Sequence, residues 1–205
     1  TGLQPLLTTL ASVPPVRRWT DVSFGDARKL NAPDLPWNPA QAVSVPGLNV
    51  LISGKIDRLD LSDLPGGATK ALLTDYKTGN SPPGGRACVL RGGAEVQRAL
   101  YRYAVTALLA PGQIAAQLHY LKDAQELLLE GASSATDDLL IAAIVAARQY
   151  LSAGLAVPGP GTWARYRTDE LCFALPAAHT RTYRDRKAGP ATEALRDLQA
   201  LWAAS

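Results

Sequence analysis

The sequence predicts an α+β domain in which helices flank a central mixed sheet. Strand-like and helical stretches follow one another without regular βα alternation. A short Gly/Pro turn joins two of the strands, so they form an antiparallel hairpin. With 205 residues, 47% of them hydrophobic, the chain can also bury one well-packed core.

Residues 3–12 carry a short helical pattern stopped by Pro14-Pro15, and RRWTDVSF (17–24) reads as a strand. Residues 25–47 are proline-rich and read as a loop. LNVLISGKIDRLDL (48–61) alternates as a long strand, SDLPGGATK is its turn, and KALLTDYKTG is the returning strand. NSPPGGRACVLRGG follows as a loop. Over residues 94–109 the apolar positions Val96, Leu100, Tyr103, Ala104 and Ala107 recur at helical spacing, and Pro111-Gly112 ends that helix. QIAAQLHYL and ELLLEG form a second strand pair. SSATDDLLIAAIVAARQYL opens on Ser/Thr/Asp capping signals and continues as a buried helix, and GPATEALRDLQALWAA predicts a closing helix. No internal repeat appears.

The formal charge of +3 suits an anionic partner without demanding one. The longest apolar run, Leu139–Ala147, is too short for a membrane span, and no signal peptide opens the chain. Cys88 and Cys172 form no CxxC pair. They suggest a reducing compartment and exclude a four-cysteine zinc or iron–sulfur site within this chain.

The stretch LLTDYKTGN (72–80) carries the chemistry. Side chains alternate along a strand, so Asp75 and Lys77 share a face, roughly 7 Å apart at the Cα level. On the partner strand Asp57 shares a face with Lys55 and Leu59. If the two faces coincide, two carboxylates and an ammonium converge at the open end of the hairpin. Adjacent aspartates repel unless a positive charge lies between them, and a hard divalent cation is the usual solution. A surface salt bridge at a strand end is the competing explanation. A chain of this size carries about one chance [DE]xK match, so the context must decide.

Downstream, Gln97 and Tyr101 lie on one helix face, and Arg98 and Arg102 form an adjoining basic stripe. Three motifs now stand in order: Gly54-Lys55-Ile56-Asp57-Arg58-Leu59-Asp60, then Asp75-Tyr76-Lys77-Thr78-Gly79, then Gln97 through Tyr101. Together they resemble the RecB-family nuclease module of the PD-(D/E)xK superfamily, over roughly residues 19–130.

The resemblance implies a restriction-endonuclease-like core and Mg²⁺- or Mn²⁺-dependent hydrolysis of DNA, at single strands or duplex ends. It makes Asp57, Asp75 and the Tyr76 carbonyl metal ligands and Lys77 the catalytic lysine, with Gln97 and Tyr101 near the scissile bond. Arg58, Arg98 and Arg102 are candidates for the DNA contact. It further implies an exonuclease-type module in bacterial repair or recombination, cytoplasmic and nucleoid-associated, partnered by a helicase domain or subunit. We expect one domain over 1–205, with a core at about 19–130 and a helical C-terminal part at 134–205.

Other motif readings fail. Lys77-Thr78-Gly79 spells a β-lactamase box, but no lysine has a serine three residues before it. SGKI lacks the remaining residues of a phosphate loop. His119 reads as a satisfied strand histidine. Asp60 is balanced between serving the site and pairing with Arg58, and Asp21 is a remote candidate for the metal. The alternative function is a nuclease-like domain without chemistry that binds DNA or acts as a scaffold.

Two departures from the family pattern matter. The cysteines do not complete the four-cysteine iron–sulfur set of some members, so no cluster is expected. Many members place a metal-binding histidine on a helix upstream of the first strand, whereas His119 and His179 are both downstream. The sequence also contains no Met. The expectation is therefore the rear part of a longer domain whose front helix supplies the histidine. Restoring such a segment should tighten Mn²⁺ binding, because Mn²⁺ accepts imidazole readily; equal calorimetric affinity with and without it would end that idea.

Overall fold

The computed structural model describes residues 16–26, 34–45, 47–82, 90–130, 134–155, 186 and 189–204. Five strands form its sheet in the order β1-β4-β5-β6-β7: β1 (Arg17–Phe24), β4 (Gly54–Asp63), β5 (Thr69–Lys77), β6 (Gln113–Tyr120) and β7 (Gln125–Glu130). A separate two-residue ribbon pairs β2 (Val43–Ser44) with β3 (Leu51–Ile52). The β5–β6 pair is parallel and the other three pairs in the sheet are antiparallel. Helix α1 (Gln97–Leu109) makes the crossover that the parallel pair requires, and α2 (Ser134–Ser152) follows β7. The mixed α+β class follows as expected.

The β4–β5 hairpin forms because β-prone runs flank Leu64–Ala68, where Gly66 and Gly67 take left-handed φ values of 85° and 83°. The turn is shorter than SDLPGGATK suggests, since β4 continues through Asp63. The predicted strand at 48–61 is also broken, between Ile52 and Gly54. α1 ends on Ala110 in the left-handed conformation, its N–H donating to Thr106 O, and Pro111 prevents continuation. The predicted closing helix is interrupted: residues 189–194 are helical, then a 3-10 turn (Arg196–Leu198) leads into α3 (Gln199–Ala203). The candidate N-terminal helix at 3–12 and the residues Cys88, Cys172 and His179 lie outside the described residues. Among the described residues, no helix is long and apolar enough to cross a membrane.

α1 packs on both sides. Tyr101, Ala104, Val105 and Leu108 meet Leu59, Leu61, Ala71 and Leu73 of the sheet. Ala99, Leu100 and Tyr103 meet Leu139, Leu140 and Ile144 of α2, together with Leu129 of β7. This double packing corrects the reading of the basic stripe. Arg98 and Arg102 are 2% and 4% exposed, so neither presents a charge to DNA. Arg98 donates through Nε to Glu95 (2.6 Å) and through one terminal nitrogen to Leu127 O (3.1 Å). Arg102 grips both Asp137 oxygens at 2.6 and 2.7 Å, joining α1 to α2.

Replacing Arg102 by Met should destabilise the fold by about 3 kcal/mol, the low end for a buried pair, because it strands the partly buried Asp137 carboxylate. The double variant R102M/D137L should recover most of that loss. Urea unfolding checks both, and an unchanged midpoint in the single variant would return Arg102 to the surface.

Candidate active site

The site forms where the β4–β5 ladder ends. Arg58 opposite Thr74 is the last paired position at the open end, so Asp57 and Asp75 stand across from each other one residue beyond it. Asp57 has no register partner on β1 either, because the pairing skips Asp21. Asp21 has φ = 54°, a left-handed conformation inside a strand. The skipped position changes the facing pattern. Trp19, Leu59 and Leu61 join the same core as Val22, Phe24 and Ile56, which strict alternation forbids.

That shift corrects the expectation that Lys55, Asp57 and Leu59 share a face. Leu59 is fully buried, whereas Lys55 is exposed and pairs with Asp21 at 2.5 Å. Asp21 thus meets a lysine at the strand break. Asp57 turns its carboxylate toward β5, where Oδ2 accepts the Tyr76 N–H at 2.9 Å. A side chain here occupies the place of a ladder carbonyl.

Asp75 and Lys77 lie beyond Ala71 and Leu73 on the α1 side of β5, as the alternation predicts. The Lys77 ammonium is 2.5 Å from Asp75 Oδ2 and donates to Gln97 Oε1 at 2.7 Å. Gln97 Nε2 lies 3.2 Å from the Tyr101 hydroxyl and, in a longer contact, 3.4 Å from Asp75 Oδ1. The Tyr101 hydroxyl donates to Lys55 O at 3.0 Å, tying the helix to β4. Gly54 permits this approach: a Cβ there would lie 2.9 Å from the Phe24 ring and 3.4 Å from the Tyr101 ring. Asp57, Asp75, Lys77, Gln97 and Tyr101 therefore converge.

Electrostatically, Asp75 is the strained member. It is 6% exposed, and burial pushes its carboxyl above the usual range; Lys77 pulls it back down, while Asp57 and Glu95 push it up again. Lys77 is the charged partner that Oδ2 has in this buried position. The Tyr101 phenol is also raised, first by burial and then by Asp75 and Asp57, with Gln97 opposing.

Could these residues hold a hard cation? Two carboxylates meet at a ladder end, and Asp57 has one oxygen beyond the one that takes the Tyr76 N–H. The Lys77 carbonyl points toward β6, where it accepts from Leu121 N–H (2.9 Å), so the preceding peptide group, Tyr76, faces β4. That donor set fits a divalent ion that retains several waters. Among the described residues, no group of three His, Cys, Asp or Glu side chains forms a fuller metal site.

Other candidates take structural positions. Arg58 lies on the opposite face of the sheet, buried, bonded to Asp60 and to the Tyr76 hydroxyl, which corrects its reading as a DNA contact. Asp60 pairs with Arg58 and with Arg18 (2.6 Å). His119 is 7% exposed with Nδ1 3.0 Å from Glu126 Oε1, a satisfied strand histidine.

An acid pair and a lysine thus stand on adjoining strand ends of a mixed sheet, backed by a helix. The PD-(D/E)XK nuclease superfamily model matches residues 9–194, most of the chain, and the chain belongs to that superfamily. No curated protein matches it.

The raised Asp75 pKa generates a test. The folded state holds this proton more tightly than the unfolded chain, so the charged carboxylate destabilises the metal-free fold above its raised pKa. That penalty fades as pH falls through the raised pKa toward the unfolded value of 3.8. Asp75→Asn should therefore raise the metal-free melting temperature near neutral pH, and the advantage should shrink on acidification. A lower melting temperature at neutral pH would show that the Lys77 contact outweighs burial.

Proposed function

We propose that this chain is a RecB-type, metal-dependent deoxyribonuclease domain acting on DNA ends or single strands in repair or recombination, with residues 1–205 forming one unit. The meeting of Asp57 and the buried Asp75 across the ladder end, with Lys77 against Asp75 and Gln97, is the observation that carries this reading. A structural ion pair needs one acid, whereas this site sets two beside a single lysine.

In this reading Asp57 and Asp75 hold Mg²⁺ or Mn²⁺, with the Tyr76 carbonyl as a main-chain ligand. The bound ion supplies charge neutralisation at the phosphate and a more acidic water. The Tyr76 N–H fixes one oxygen of Asp57 and leaves the other for binding. Gln97 accepts from Lys77 and so restrains the ammonium at the mouth of the site. There Lys77 serves as a point charge that orients the attacking water and stabilises negative charge growing on the phosphate. Tyr101 and Gln97 form the wall beside the scissile bond. A helicase domain or subunit that feeds DNA to the site is the partner this function calls for.

Lys77→Met should lower cleavage by about 10²–10³-fold, the usual cost of losing one charge-stabilising donor, while Mn²⁺ still binds. Asp75→Asn should abolish both. Cleavage of end-labelled single-stranded and duplex DNA with Mg²⁺ or Mn²⁺ measures this. Wild-type rates in Asp75→Asn would overturn the assignment, and a protein that binds DNA without cleaving it, even with a histidine-bearing front segment restored, would favour the scaffold function.

A further inference from the structure

The face of the sheet turned away from α1 carries polar side chains that the proposed chemistry leaves unused. Arg18 donates from Nε to Asp60 Oδ1 at 2.6 Å, and the other Asp60 oxygen holds Arg58. Arg58 then donates to the Tyr76 hydroxyl at 3.1 Å. The Tyr76 ring stands edge-on to His119, centroids 5.8 Å apart, and His119 meets Glu126. This chain of contacts crosses all five strands of the sheet, and Asp60, Arg58 and His119 are each at most 7% exposed.

Tyr76 is where this network meets the active site. Its side chain belongs to the polar face, yet its N–H holds Asp57 on the β4 side. The β4–β5 register stops at Arg58 and Thr74, so no paired β4 residue steadies the Tyr76 peptide on that side. The β6 ladder holds this backbone from the far side, and on the β4 side the Tyr76 side chain adds a second anchor, because its hydroxyl rests on a guanidinium that Asp60 immobilises. Tenths of an ångström matter for a carboxylate that must meet an ion, and outer contacts of this kind set ligand orientation.

We propose that Arg58, held by Asp60, is a positioning residue for the active site: through the Tyr76 side chain it fixes the Tyr76 peptide, and through that peptide the Asp57 carboxylate. This rests on the reading of Asp57 and Asp75 as the cation-holding pair. It also accounts for a buried arginine one residue from a catalytic acid without assigning it a contact with DNA.

Calorimetry of Mn²⁺ binding to the full chain tests it with a readout separate from cleavage. Tyr76→Phe removes only the hydroxyl and keeps ring and peptide, and it should weaken Mn²⁺ binding about tenfold. Thr74→Val deletes a neighbouring hydroxyl on the same face, one that accepts from Gln117 at 3.0 Å, and should leave Mn²⁺ affinity unchanged. Wild-type affinity in Tyr76→Phe overturns the proposal. Equal weakening by Thr74→Val also overturns it, because the effect then tracks the fold. Asp75→Asn separates the two claims: if that variant binds Mn²⁺ like the wild type, the cation reading itself fails and takes the proposal with it. Loss of binding in Asp75→Asn together with the tenfold loss in Tyr76→Phe supports both.

Discussion

The burial of Asp75 beside Asp57 is the constraint around which the described part of this molecule is arranged. Burial raises the cost of ionising Asp75 most, and Asp57 across the ladder end adds to it. Each neighbouring feature answers the difficulty. The Tyr76 N–H takes one oxygen of Asp57, and Lys77 sets a positive charge against Asp75. Gln97 bridges the lysine and the acid from the helix. Asp75 nonetheless remains buried, a local cost that the surrounding fold carries.

The surrounding fold can carry it because the hairpin is anchored on both faces. On one side α1 lies over the apolar half of β4 and β5, and the Gly54 position lets Tyr101 and Phe24 close in on the sheet. On the other, a polar network spans the strands. Buried ionic networks contribute little net stability compared with well-packed apolar groups. Their value lies in specifying a geometry, and here the geometry in question is that of the Tyr76 peptide.

Much of this is legible in the sequence, for physical reasons that differ from element to element. The hairpin, α1 and the β6–β7 pair have strong periodicity and clear stop signals, such as Gly66-Gly67 and Pro111. The alternation in LLTDYK places Asp75 and Lys77 together, and the structure keeps them so. The strand break at Asp21 and Asp57 is not legible, because it depends on a left-handed aspartate that no local pattern announces. The burial of Arg98 and Arg102 escapes the sequence for a related reason. Spacing tells which residues share a helix face, but not that α2 covers that face. A signal does exist: Glu95 stands three residues before Arg98, and Asp137 sits in the first turn of the next helix. The polar face is also written in the strands, where Arg18, Asp60, Arg58, Tyr76 and His119 fall in one register once the pairing is known.

The distribution of arginines has a consequence for how DNA is engaged. Arg58, Arg98 and Arg102 are all spent on internal carboxylates or carbonyls, so none of the three faces outward. Lys55 is exposed beside Asp21, and Lys77 is partly exposed and restrained by Gln97. In the proposed function, phosphate at the reacting centre meets the acid-bound ion and Lys77, and the wider electrostatic grip falls to surfaces away from α1. Binding and cleavage are then separable: substitutions at the site act on the chemical step, while the strength and salt dependence of DNA binding are set elsewhere.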